Sequence, residues 1–173
     1  MGIQVSNFLH VADGLQENQF SVGNRDMVNS LDDIDPIYKQ LLDGPYHANF
    51  GVLGNDGRIN QTPMWFDYEA DKVLVNVADH RKKVEWIRKH PQLSILIVNP
   101  ANMYHWISIK CTVEREIHED DPEEGAKVTA QLDKIWTKYT GNEPPYGLRD
   151  PGINERRVLF VCGIDRVATF GRP

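Results

Sequence analysis

The stretch DHRKKVEWIRKHP, residues 79–91, gathers Arg81, Lys82, Lys83, Arg88 and Lys89 against only Asp79 and Glu85, in a chain whose net charge is −6. It follows one apolar run, VLVNV, and precedes another, LSILIV. An apolar strand that turns into a helix presents free backbone N–H groups and the positive end of a dipole. Cations are misplaced at that end, so Arg81, Lys82 and Lys83 point to an anion that joins them. Charge-assisted hydrogen bonds to a phosphate are each worth roughly 1.5–3 kcal/mol, more than surface basic residues gain from one another. The competing reading is a solvated basic face on a surface helix.

Two further clusters carry chemistry. In TPMWF (62–66), Pro63 removes a ladder donor, so its strand is an edge or is bulged there. Beside Met64 and Trp65 such a strand can lie against a flat ring, although core packing is the commoner use of these residues. In MYHW (103–106), alternation puts Tyr104 and Trp106 on one face and His105 on the other. The six His residues (10, 47, 80, 90, 105 and 118) show no ligand spacing, so no metal site is expected. GxSxG, Walker and GxGxxG motifs are absent, which excludes the hydrolase elbow and the two common phosphate loops. The acidic run Asp120–Glu124 is explained by the dipole of the helix it opens.

The elements that position these clusters follow from periodicity. Residues 1–33, rich in Asn, Gln, Ser and Gly with isolated Phe8, Leu9, Val11, Phe20 and Val22, read as an N-terminal extension, partly extended over the body or a partner subunit, or disordered. Asp35-Pro36 starts a helix with Ile37, Leu41 and Leu42 on its buried face, and Gly44-Pro45 ends it. Strands at 46–53 and 58–68 form a hairpin around Asn55-Asp56-Gly57. Strand 72–78, the basic helix, strand 93–99, strand 103–116, a helix from Asp121 to about Tyr139 and a last strand at 156–170 follow. The helix of 121–139 buries Val128, Leu132, Ile135 and Trp136. The sum is one mainly β, α+β domain at 34–173, with six antiparallel strands, closed as a barrel and flanked by helices.

Composition sets the outer limits. A chain of 173 residues holds one core. A pI near 5.5 argues against nucleic acid as a partner, and the short apolar runs argue against a membrane span. The first residues lack a basic n-region and a long apolar segment, so a cytoplasmic location is expected. Cys111 and Cys162, fifty residues apart in strand-like segments, read as buried reduced thiols.

The serial order DGR, TPMWF, KVLVNVADHRKK, IRKHPQLSILIVNP and HWISIKCTVE resembles the split β-barrel flavin and deazaflavin oxidoreductases, the pyridoxamine 5′-phosphate-oxidase-like group. Within it the order is closest to the branch that uses coenzyme F420, which also has a KYTG-like helix end (Lys138–Gly141) and an arginine-led last strand (Glu155–Leu159). The resemblance covers about residues 36–170. It implies that Arg81 and Lys83 hold a cofactor phosphate with Lys82 nearby. Asn76 would lie near the cofactor side chain, Thr62, Pro63, Met64 and Trp65 against the ring system, and Tyr104 and Trp106 at the substrate side. Tyr104 is then the first proton donor to test. The function implied is hydride transfer between F420 and a small conjugated or quinone-like substrate, in a homodimer with its cofactor sites at the interface. FMN on the same fold and a non-catalytic flavin or haem carrier are the alternatives. Lys82, Arg88 and Lys89 exceed the needs of one phosphate, which favours the more anionic F420. Two departures from the pattern are Val77, where a hydroxyl residue is usual, and Cys111, where a Gly is usual and a side chain would either narrow the pocket or mark a subgroup with changed cofactor choice.

Overall fold

Ile3–Phe8 (β1) and Val22–Val28 (β2) pair antiparallel at the start of the chain, of which the computed structural model describes residues 2–8 and 22–173. The positions of Leu9, Val11 and Phe20 lie outside the described residues. A 3-10 turn at Leu31–Asp33 leads into α1, Pro36–Asp43. The Asp35 carboxylate accepts from the Ile37 N–H at 3.0 Å and Gly44 caps the far end, as the local sequence dictates. Tyr38, Leu41 and Leu42 form its buried face, with Ile37 half-buried beside them.

The hairpin pairs Ala48–Leu53 (β3) with Ile59–Met64 (β4), and Gly57, at φ 77°, takes the left-handed position of the turn. Among the described residues β4 is a sheet edge bonded only to β3, which is where a strand tolerates Pro63. The expected continuous strand 58–68 breaks at Trp65-Phe66 and resumes as Asp67–Glu69 (β5), which pairs with Lys72–Ala78 (β6). Then come α2 at Lys82–Lys89, Gln92–Asn99 (β7) and the long Asn102–His118 (β8). The helix expected from Asp121 begins later, as α3 at Gly125–Thr140. Asp121 accepts from the N–H groups of Glu123 and Glu124, so the acidic run forms a turn ahead of the helix. A Cβ on Gly125 would meet the Glu119 carbonyl oxygen at 2.2 Å, so only glycine fits this junction. Arg157–Phe170 (β9) closes the chain.

The ladder runs β2-β1-β9-β8-β7-β3-β4. β9 is its branch point: Arg157–Gly163 pairs with β6, Val167–Phe170 pairs with β1, and β8 follows it throughout. Register shifts at Lys110/Cys111 and Val113/Arg115 bend β8 at the branch. The result is a split β-barrel. It departs from the expected one in three ways: nine strands among the described residues rather than six, a parallel β1–β9 pair, and a ladder that does not close. The first two arise because residues before 34 supply two strands and because β4 and β5 are separate.

Between the sheet and the helices lies the core, with Phe50, Phe66, Ile95, Ile97, Ile107, Ile109 and Phe160 meeting Leu41 and Leu42 of α1 and Val84 and Ile87 of α2. Cys111 is buried in this core, where the neighbouring Cys162 thiol and burial push its thiol pKa up. It does not border the cleft described below, which corrects the expectation that it narrows a pocket. The opposite face of the sheet carries a register row of Pro63, Asn49, Leu96, Ser108, Ala168 and Ser6 across six strands. All six side chains are exposed or half-buried.

Candidate functional site

β6 ends at Ala78, and the chain turns through Asp79–Arg81 into α2. Val84 and Ile87 bury one side of this helix, which fixes its rotation and therefore the directions of its cations. Lys83 reaches across to β4, where its ammonium donates to the Thr62 hydroxyl and lies 3.1 Å from the Met64 sulfur. Arg81 is the N-cap residue and makes no side-chain capping bond. Neither has a carboxylate partner among the described residues. Burial first, and the neighbouring Arg81 charge second, lower the Lys83 pKa.

The other cations of the stretch are used differently. Lys82 pairs with Glu85, which also accepts from Asn55. Arg88 bridges Asp79, at 2.7 Å, and Glu116. The surplus of positive charge that favoured the more anionic cofactor is thus largely taken up by carboxylates of the same chain. Arg81 and Lys83 remain, with Lys89 in the last turn of α2 and outside the cleft described next.

These two stand at one side of a cleft of about 570 Å³ whose lining includes Thr62, Pro63, Met64, Trp65 and Asn76. That volume falls in the range of small-molecule sites, roughly 300–1,000 Å³. The structure therefore brings together seven of the residues singled out in the sequence. Lys82 lies outside the cleft, as do Tyr104 and Trp106. Tyr104, 59% exposed, and Trp106 pack against Phe170 on the uncovered face of the sheet, the face that also carries Pro63. His105 points the other way into the core, bonded to the Ile37 carbonyl at 2.8 Å and the Asn99 amide at 3.2 Å. Burial lowers its pKa, and its role is to tie β8 to α1. No cluster of metal-ligating side chains exists among the described residues.

Asn76 is fixed from two sides. Its amide donates to the Val128 carbonyl at 3.0 Å and its oxygen accepts from Arg157 Nε at 2.9 Å. Arg157 in turn pairs with Glu155 at 2.8 Å, both side chains nearly buried, and its guanidinium lies 5.5 Å from the centre of the Tyr146 ring. Two of the five guanidinium N–H donors are thereby engaged, and others are left for the cleft.

Trp65 forms the aromatic wall. It stacks on Tyr139 with ring centroids 5.2 Å apart and planes 7° from parallel, and it meets Tyr146 edge-on. Tyr139 accepts from the Phe66 N–H at 2.9 Å and donates to the Tyr46 carbonyl at 2.8 Å. Those two bonds satisfy the backbone where β4 and β5 part, and they hold Trp65 out of the ladder. Burial pushes the Tyr139 hydroxyl up to about 12.

His47, Tyr146, Leu148 and Arg157 also line the cleft and were not singled out in the sequence. Tyr146 and Leu148 lie in a Gly/Pro/Asn-rich connection without periodicity, and Arg157 stood out only as part of the closing strand. The cleft as built has two cations without counterions, a hydroxyl beside one of them and a flat aromatic wall. That set fits a ligand combining a phosphate with a planar ring system.

No protein-family model matches the chain, and no curated protein matches it. Solved structures do. An F420 reductase aligns over 78% of this chain and 98% of its own, with a TM-score of 0.61 and 23% identity. HutZ, the heme storage protein from Vibrio cholerae, aligns over 78% and 92% with a TM-score of 0.56 and 12% identity. A putative 5-nitroimidazole antibiotic resistance protein from Bacteroides thetaiotaomicron aligns over 78% and 82% with a TM-score of 0.54 and 18% identity. Together with the branched ladder, these likenesses show that the chain has the split β-barrel fold of pyridoxamine 5′-phosphate-oxidase-like proteins.

Proposed function

We propose that this protein is a reductase that holds coenzyme F420 in the Arg81–Lys83 cleft and serves hydride transfer to a small conjugated or quinone-like acceptor. The observation that carries the reading is the pair of cations without carboxylate partners beside a planar aromatic wall. Bound there, the deazaflavin would supply the hydride chemistry, so the protein needs no nucleophile. Arg81, Lys83 and the Thr62 hydroxyl hold the phosphate. Met64 and Trp65 provide the surface for the ring, and Arg157, oriented by Glu155 and Asn76, offers donors to a polar ring edge. Val77, Leu132 and Ile135 keep water from the inner wall.

FMN is the second reading. It is favoured by the engagement of Lys82 and Arg88 with Glu85, Asp79 and Glu116, which leaves charge enough for one phosphate. A homodimer packed through the uncovered sheet face belongs to the same proposal. Tyr104 and Trp106 share that face with Pro63, so the partner subunit would bring these aromatic residues toward the open side of the cleft.

Fluorescence or calorimetric titration with F420, FMN and haem tests the reading, with Arg81→Ala and Lys83→Ala beside the wild type. Binding of F420 weakened in both variants is expected. Absence of binding in the wild type, or binding untouched by both substitutions, rejects it. A one-to-one flavin in the purified protein decides for FMN, and a haem Soret band without hydride transfer decides for a carrier.

A further inference from the structure

Hydride transfer to a conjugated acceptor must be completed by a proton, and few side chains of the cleft can give one. A guanidinium is not a general acid, which sets Arg81 and Arg157 aside. Lys83 is engaged by Thr62 and Met64. Tyr139, behind Trp65, spends its hydroxyl on the Tyr46 carbonyl, and Tyr104 lies on the outer sheet face. Tyr146 places its ring against Arg157, Trp65 and Trp136.

His47 stands apart. It precedes β3, whose first residue Ala48 pairs with Met64, so it sits beside Trp65 on the cleft wall. It is exposed, its ring centroid is 5.8 Å from that of Tyr139, and no hydrogen bond engages its imidazole among the described residues. An unengaged imidazole open both to a ligand cavity and to water can deliver a proton and recover it from solvent.

We propose that His47 is the proton donor of this cleft; a carbon–carbon double bond conjugated to a carbonyl, the simplest acceptor of the class given above, shows the step. The proposal rests on the hydride-transfer reading given above. The acceptor takes a hydride, with its electron pair, at the carbon remote from the carbonyl, and the reduced cofactor is oxidised by two electrons. The C=C π pair shifts to give an enolate. The His47 imidazolium then gives its proton to the enolate, the product carries two added hydrogens, and water reprotonates the imidazole. The charged and titratable groups sharing the cleft with His47 are Arg81 and Lys83 from the start of α2, Arg157 from β9 and Tyr146 from the α3–β9 connection. Tyr139 of α3 packs beside the imidazole.

The test compares wild type, His47→Gln, His47→Ala and Tyr146→Phe, using a cyclic enone as acceptor. Expected for both His47 variants are an unchanged cofactor Kd and a reduction rate lower by about 10²–10⁴-fold. The alkaline limb of the wild-type pH–rate profile should vanish in His47→Gln. In the cofactor-free wild type, the His47 Cε1–H resonance should shift when the enone is added. Partial rescue of His47→Ala by added imidazole completes the expected pattern. A wild-type rate and profile in His47→Gln overturn this inference while leaving the cofactor reading intact. A loss shown by Tyr146→Phe instead of His47→Gln overturns it as well. Failure of the wild type to bind either F420 or FMN overturns both.

Discussion

The Lys83 ammonium and the Thr62 hydroxyl meet across the cleft, joining the first turn of α2 to the edge strand β4. That contact places a half-buried cation at the point where the aromatic wall begins, and the neighbouring Arg81 charge adds to burial in lowering its pKa. An anion arriving there relieves the repulsion between the two cations and restores part of the solvation that burial removed.

Anion binding at this pair should therefore depend on pH with a defined sign. Burial lowers the Lys83 pKa, so the amine loses its proton earlier than an ordinary lysine as pH rises. Cofactor affinity is expected to fall as pH rises toward the usual lysine range, and binding at alkaline pH should take up a proton. Calorimetry in buffers of different ionisation enthalpy measures that uptake directly. Lys83→Ala should abolish it and weaken binding by about 10- to 100-fold, the equivalent of roughly 1.5–3 kcal/mol. Affinity that is flat across pH 7–10 in the wild type would speak against Lys83 as the anion holder.

The Tyr139 hydroxyl carries a separate prediction. It answers one donor, the Phe66 N–H, and one acceptor, the Tyr46 carbonyl, at the place where β4 and β5 separate. Tyr139→Phe keeps the ring stacked on Trp65 and deletes both bonds. A loss of about 1–3 kcal/mol is expected on denaturant melts, because Phe66 is buried and Tyr46 half-buried, so their backbone groups cannot all recover water. Trp65 should become more accessible to fluorescence quenchers. Unchanged quenching together with unchanged stability would show that the ladder break is held by packing alone.

Lys138 supplies a stability profile. Its ammonium donates to the carbonyls of Leu42 and of Phe66, the latter at 3.1 Å, and burial lowers its pKa to about 8. Between pH 8 and the ordinary lysine value the unfolded chain binds the proton that the folded chain has released. Stability contributed by this group must therefore rise with pH over that window. Above it, Tyr139, raised by burial, reverses the trend, since the unfolded tyrosine ionises first. Chemical denaturation from pH 7 to 10 should show the rise in wild type and a flatter curve in Lys138→Met.

Several of these relationships were legible in the sequence and several were not. The Asp35-Pro36 cap and the Asn55–Gly57 turn depend on residues next to each other, so their chemistry can be read locally. Arg81 and Lys83 were singled out together with Lys82, but which of three consecutive basic residues faces the cleft depends on how Val84 and Ile87 seat the helix. Glu85, one turn on, takes Lys82. The break after Met64 depends on a hydroxyl 73 residues away. Asn76 was noticed, but its partner Arg157 lies 81 residues downstream and no periodicity links them. His47 precedes its strand and carries no motif. Tyr104 and Trp106 were assigned a substrate side that their own chain does not provide.

That last point yields the remaining prediction. The uncovered face presents Leu96, 36% exposed, at the middle of the register row from Pro63 to Ser6, with Asn49 and Ser108 directly beside it and Ala168 one strand further on. A sheet face with small and apolar side chains at its centre and no helix above it among the described residues suits a second copy of the chain. Leu96→Arg places a charge at that centre while leaving the core side of β7, formed by Leu93, Ile95 and Ile97, untouched. Light scattering should report a dimer for wild type and a monomer for Leu96→Arg, with circular dichroism unchanged. If Tyr104 completes the partner's cleft, the monomeric variant should still bind cofactor phosphate through Arg81 and Lys83, and substrate KM should rise more than cofactor Kd. A wild type that is monomeric at micromolar concentration, or a Leu96→Arg dimer, removes this face from the account.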